Sequence, residues 1–233
     1  MPCTLPASLA AAAVCRGSFH AVLGGEAGEA VFADFSAALQ KAQAEGRILT
    51  ASLFRYENHL FFYAEGLNRP FTPQGLCPAL DAALLPWPPA LGEAAPRPWA
   101  AMQPYFFHDI PTTAADWQQG RCPQRRRGRI ALLPPDCWCS YMAHHLRIGT
   151  EGLVEGDRWH LICVQEGVLF SYLEEPRTNV NIKHRPGAHS PELDAWIAAD
   201  PESHFARFTP EQKAHPDSGH NFVFLPRIAG TED

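Results

Sequence analysis

Excess charge of either sign is what this chain has least of. Across 233 residues, 19 Lys and Arg face 25 Asp and Glu, a formal charge of -6 and a pI near 6.0. Nothing in that balance pulls the protein towards nucleic acid or an anionic membrane. No apolar run approaches the ~20 residues that a membrane-spanning helix needs. A glycine-rich phosphate loop, a dinucleotide fingerprint and a Gly-x-Ser-x-Gly nucleophile motif are all missing. The seven cysteines form no regular framework. Cys137-Trp-Cys139 is the one close pair, and its single intervening residue departs from the C-x-x-C spacing of zinc and redox sites. The alanine-rich opening MPCTLPASLAAAAVCRG lacks the basic segment of an export signal. A cytoplasmic protein with reduced thiols is therefore expected.

What is present is a globular composition, 46% hydrophobic and 19% charged, with 22 prolines punctuating loops. The basic cluster RRRGR, Arg125 to Arg129, reads as a solvated linker.

The chain repeats itself at an interval of roughly 110 residues. HLFFYAEG from His59 and VLFSYLEE from Val168 share Leu-Phe-x-Tyr-x-Glu, and each follows a polar turn after an apolar strand, which predicts a hairpin in each half. Glu-Gly precedes both hairpins, placing Gly46 and Gly156 where a helix ends in the left-handed region. Leu-Asp-Ala follows each hairpin, in ALDAALLPWPP and ELDAWIAADPE, and aromatic strands close the halves, YFFHDI from Tyr105 and FVFLPRI from Phe222. With opening strands FHAVL and RIALL, each half reads strand, helix, strand, strand, helix, strand. The expected class is α+β: two ferredoxin-like (split βαβ) repeats whose antiparallel sheets pack as an intrachain pseudo-dimeric α/β barrel. The expected divisions are a tail over 1–14, a first repeat over 15–111, a linker over 112–127 and a second repeat over 128–233.

Eight of the 11 histidines follow that linker, so polar chemistry is expected in the second half. After RIALL, prolines 134 and 135 end the strand and Asp136 can cap a helix starting at Cys137. Residues four apart share a helix face, so Tyr141 and His145 point the same way, while His144 is rotated by ~100°. The matching positions of the first half fall near Phe32 and Ser36, which lack the pair. HRPGAH from His184, and Lys213, His215, Asp217 and His220 in EQKAHPDSGH, read as polar loops. Glu174 and Glu175 are expected at the surface, although Glu174 recurs as Glu65, which suggests a structural role in the sheet.

The segment GRIALLPPDCWCSYMAHH resembles the opening strand and helix of the L-rhamnose mutarotase family, where a strand ends at a proline-containing turn and Tyr-x-x-x-His follows on the helix. The likeness runs over most of residues 128–226: the LFSYLEE hairpin, LDAWIAADPESHFARF, and a closing VFLP strand. Members of that family are small dimeric α+β barrels that interconvert the α and β anomers of a sugar without cofactor. The resemblance thus implies a mutarotase for a free aldose, L-rhamnose or similar, with no cofactor or metal and no nucleic-acid or membrane partner, working as a monomeric pseudo-dimer with room for further self-association. Carried over residue by residue, it makes His145 the proton donor and Tyr141 the substrate-contacting tyrosine. The strand before the hairpin offers His160, or Trp159 if the register slips by one. Where the family places two tryptophans, this chain has Phe205 and Ala206, with His204 just before.

Mutarotation opens a hemiacetal and closes it on the opposite carbonyl face, which takes an acid and a base; histidine can serve as either. An aromatic such as Trp138, Trp159 or Phe205 could lie against the sugar ring, while Trp196 reads as core. Two other readings stand beside this one. A non-catalytic sugar-binding module is favoured by the absent tryptophans and opposed by the retained Tyr-x-x-x-His. A haem-binding or oxygenase-type protein is the third, since barrels of related plan include such activities.

Overall fold

Two hairpins rich in β-branched and aromatic residues seed two separate sheets. The structure, a computed structural model, describes residues 6–151, 154–176, 183–184, 187–212 and 221–231. In chain order its elements are β1 (Val14–Leu23), α1 (Glu29–Ala44), β2 (Ile48–Tyr56), β3 (His59–Leu67), α2 (Pro78–Ala82), β4 (Leu84–Leu85), β5 (Ala100–Ala101) and β6 (Gln103–Phe107). There follow α3 (Ala114–Gln118), β7 (Arg125–Leu132), α4 (Trp138–Glu151), β8 (Val154–Glu155), β9 (Leu161–Gln165), β10 (Val168–Glu175), β11 (Lys183–His184), α5 (Pro191–Ala198), β12 (Val223–Leu225) and β13 (Arg227–Gly230). The class is α+β, with antiparallel pairing throughout the two main sheets. Among the described residues no helix is long and apolar enough to cross a membrane.

The first unit comprises Met1–Met102, Pro111–Gln124 and Pro226–Asp233. Its sheet runs β13-β2-β3-β1-β4, with β5 also on β1. Helix α1 buries Phe32, Phe35, Leu39 and Ala42, one stripe at helical spacing, in a core with Leu53, Phe62, Leu80 and Trp99. Each large apolar side chain so buried stabilises the unit by ~1.5–3 kcal/mol. The helix stops at Gly46, whose φ of 68° lets its own N–H and that of Arg47 reach the carbonyls of Gln43 and Ala42.

The second unit comprises Gln103–Ile110 and Arg125–Leu225. Its sheet runs β12-β7-β10-β9-β6, with a small β11-β8 ribbon apart. The β9–β10 hairpin turns through Glu166 and Gly167, both at positive φ, a two-residue turn whose twist suits the strands it joins. Tyr141, His145 and Ile148 of α4, with Leu193 and Trp196 of α5, form the buried helical layer over the sheet.

Several expectations are corrected. YFFHDI does not close the first sheet: β6 hydrogen-bonds β9 in the second unit. FVFLPRI divides at Pro226, with β12 on β7 and β13 on β2 of the first sheet. β1 already receives β5, so the strand that continues past Met102 takes a different edge; β12 and β13 repeat this division. The units are consequently not two continuous halves. Residues 112–127 are more than a linker, because α3 starts on a Thr113 cap and buries Trp117. RRRGR is no solvated segment but the start of β7. Arg126 and Arg127 are buried there, their charges met by Glu174 at 3.6 Å and Glu175 at 3.0 Å. Glu174 is buried with them and accepts a hydrogen bond from the Tyr172 hydroxyl at 2.6 Å. Asp136 lies inside a 3-10 turn, Pro135–Cys137, rather than capping α4. Gly156 has no positive φ; its missing side chain serves a close approach described below.

Candidate active site in the second unit

Between the helical face of the second sheet and helices α4 and α5 lies a cavity of about 430 Å³. Its floor is set by strand alternation: Arg129 on β7, Ser171 and Leu169 on β10, Ile162 on β9 and Phe106 on β6 follow one another across the sheet. Tyr141 and His145 come down from α4, and Trp196 from α5.

The expected pairing of Tyr141 and His145 is observed. Both are buried, with ring centroids 4.2 Å apart. His145 Nδ1 lies 3.0 Å from the Tyr141 backbone carbonyl. A carbonyl can only accept, so the proton of the neutral ring sits on Nδ1 and Nε2 carries the lone pair. No described group hydrogen-bonds Nε2, which leaves it to the cavity.

Aromatic rings surround this imidazole. Phe106 and Trp196 stand edge-on to it, each at 4.9 Å, and Tyr105 at 5.7 Å. Successive residues of a strand ordinarily face opposite ways, but the β6–β9 register shifts between Pro104 and Phe106, and this bulge brings both Tyr105 and Phe106 onto His145. Burial lowers the His145 pKa to about 4, against the upward pull of its backbone hydrogen bond and with smaller downward effects from His144, His204 and His108. The ring is neutral at pH 7. Burial likewise pushes the Tyr141 hydroxyl up to about 12, so it stays protonated.

Of the other expected residues, His160 and Phe205 line the cavity. His204 does not line it but stands behind, 6.1 Å from Tyr141 and 5.1 Å from Trp196, with its Nε2 3.1 Å from Ser140 Oγ. Trp138 packs at the edge of the core, and Trp159 is half-buried; neither lines the cavity. Trp196, expected as core alone, is both core and wall.

Sequence reasoning missed Arg129, His108 and Glu202 as lining residues. Arg129 stands in a run of like charge, yet strand alternation separates it from Arg126 and turns it to the cavity, its guanidinium 4.4 Å from the Phe222 ring. His108 could not be found from the second half, because β6 delivers it from earlier in the chain. Lys213, His215, Asp217 and His220 lie outside the described residues, as does the side chain of His184. Among the described residues no cluster of three or more His, Cys, Asp or Glu could hold a metal ion. In the first unit, Phe32 and Ser36 line a separate depression, and Ser36 Oγ accepts the Gly230 N–H at 3.3 Å.

No family model matches the chain, and no curated protein does. Among solved structures it is similar to a "putative monooxygenase" from Fusobacterium nucleatum subsp. nucleatum, at 9% identity and a TM-score of 0.40, over 94% of each chain. A protein from Lactobacillus acidophilus NCFM, named in the same words, has 6% identity and a TM-score of 0.38, over 94% of this chain and 96% of that one. At such scores neither likeness carries an activity over to this chain.

Proposed function

We propose that the second unit is an acid–base enzyme that interconverts the anomers of a free aldose. The observation that carries this reading is the bare Nε2 of His145, facing the cavity beside a protonated Tyr141 hydroxyl. Sugars present hydroxyls at their rims and C–H faces above and below. The cavity matches both, with Tyr141, Arg129, Ser171 and Glu202 as polar partners and Phe205, Phe222 and Trp196 as flat apolar walls. These rings stand in for the tryptophan pair that the sequence lacks.

The tautomer changes the role expected of His145. With its proton tied to the Tyr141 carbonyl, it begins the reaction as the base that takes the anomeric proton, not as the donor. The Tyr141 hydroxyl orients the sugar through a hydrogen bond. Because anomers interconvert without a catalyst, an acid–base contribution of about 10²- to 10⁴-fold is enough to be useful. The same reading takes the two units as tandem ferredoxin-like repeats. It is supported by a hydrogen bond present in each, from Tyr63 to Glu65 at 2.7 Å and from Tyr172 to Glu174 at 2.6 Å.

The test is saturation-transfer NMR on L-rhamnose, L-fucose and common hexoses, comparing the whole protein with His145→Ala at equal concentration. Faster anomer exchange that disappears in the variant supports the proposal. If no sugar is accelerated by the folded wild-type protein, the proposal is wrong and a binding role takes its place.

A further inference from the structure

Mutarotation moves two protons, one off the anomeric hydroxyl and one onto the ring oxygen, and His145 accounts for the first. Tyr141 is a poor source of the other, since its hydroxyl holds its proton up to about 12. A second titratable group on the same cavity is required.

We propose that His108 is that group, the acid that protonates the ring oxygen while His145 takes the anomeric proton; this rests on the mutarotase reading above. His108 lies just beyond the end of β6 and lines the cavity that holds His145. Its place is built from several sides. The Phe106 ring stands edge-on to both imidazoles, 5.0 Å from His108 and 4.9 Å from His145, so it spaces the two. The ring of His160 stacks on His108 at 5.9 Å with 27° between planes. Gly156 passes directly against the imidazole: a Cβ there would overlap its ring atoms, so only glycine leaves His108 its position. The next residue, Asp109, is ion-paired to Arg158 Nε at 2.8 Å, which holds the end of β6 against the segment leading into β9. Among the described residues, the titratable and charged groups around His108 include His160, His145 across Phe106 and the Asp109–Arg158 pair, with Tyr141, Arg129 and Glu202 on the same cavity.

The chemistry balances within the site. Nε2 of His145 accepts the proton of the anomeric hydroxyl as the C1=O1 bond forms and the C1–O5 bond breaks, and protonated His108 gives its proton to O5. After rotation about C1–C2, the O5 hydroxyl attacks the other carbonyl face. Its proton returns to His108, and His145 gives its own back to O1. No electrons are exchanged with an outside reagent, and both histidines end as they began.

The pH dependence of anomer exchange tests this assignment, read by saturation-transfer NMR with the same panel of free aldoses. The wild-type profile should be bell-shaped, since one group must be neutral and the other protonated. His108→Gln should lower the maximal rate by about 10²- to 10⁴-fold and abolish the alkaline limb, with KM little changed. Gly156→Ala, which drives the ring from its place, should reproduce that loss. His108→Gln alone decides if the glycine variant does not fold. A His108→Gln protein with the wild-type rate and both limbs, beside an inactive His145→Ala, overturns the assignment and leaves the mutarotase reading standing. Wild-type protein that accelerates no aldose overturns both.

Discussion

Arg121 grips the carboxylate of Glu65 through two hydrogen bonds, of 2.7 and 3.0 Å, between side chains that are 2% and 0% exposed. The Tyr63 hydroxyl donates to the same carboxylate at 2.7 Å and accepts from Arg16 Nε at 3.0 Å. Arg16 in turn lies over the Trp117 ring at 5.1 Å. The segment after α3 is thereby anchored in the first unit. Burial alone would raise the Glu65 pKa, but the charge and hydrogen bonds of Arg121, then Arg16 and Tyr63, outweigh it and leave the value lowered.

Removing one partner of this pair should be far worse than removing both. Arg121→Met strands a buried carboxylate and is expected to destabilise the protein by about 3–5 kcal/mol, whereas Arg121→Met with Glu65→Leu should recover most of that. Urea unfolding of the two variants measures the difference. Because the Glu65 pKa is depressed, its contribution is present above the ordinary carboxylate range. Acid titration should remove it as the pH falls through the lower folded value.

His145 also makes the protein less stable as the pH falls, but through a buried neutral ring instead of a paired charge. Its pKa drops from 6.5 unfolded to about 4 folded, so between those values the unfolded chain binds a proton that the native protein does not. Stability should fall by about 3 kcal/mol as the pH is lowered from 6.5 to 4 and level off below. His145→Leu should flatten that slope, as unfolding at a series of pH values would reveal.

Trp196 seals His145 from water, standing edge-on to it at 4.9 Å. Trp196→Ala should cost about 3–5 kcal/mol and, by admitting water, raise the His145 pKa back towards its ordinary value. Imidazole NMR titration reads the second effect, which a purely structural tryptophan would not produce.

Gly66 on β3 faces the backbone of Arg69 and Phe71, where an added Cβ would collide with the Arg69 carbonyl. Gly66→Ala is expected to destabilise by about 1–3 kcal/mol, since backbone cannot yield as a side chain can. Thermal unfolding measures it.

A chain starting at Arg125 keeps α4 and α5 but loses β6, and with it Tyr105, Phe106 and His108. Such a fragment should leave the edge of β9 open and show little near-ultraviolet circular dichroism, although it contains the Tyr-x-x-x-His motif intact.

Both hairpins, the glycine stop of α1, and the shared face of Tyr141 and His145 are legible in the sequence because each depends on neighbours within one or two turns of chain. The same local reading misplaced Arg125 to Arg129. A run of like charge resembles a solvated segment until the partners are known, and Glu174 and Glu175 lie nearly fifty residues away in sequence. Gly156 failed for a related reason: it was read as a backbone requirement, while its real constraint is the His108 ring arriving from an earlier strand.

By itself, then, the sequence determined the α+β class, a hairpin in each sheet and the pair of side chains on α4, all of them consequences of periodicity and turn chemistry. Tertiary structure decided which sheet each closing strand joins, and therefore that Phe106 and His108 reach the cavity of the second unit. It also decided that His145 is neutral with its lone pair on Nε2, because a pKa depends on the rings and carbonyls that enclose a group, and most of those come from other elements. Strand partners are chosen by edges left open once the rest of the sheet has formed, and no local pattern encodes that choice.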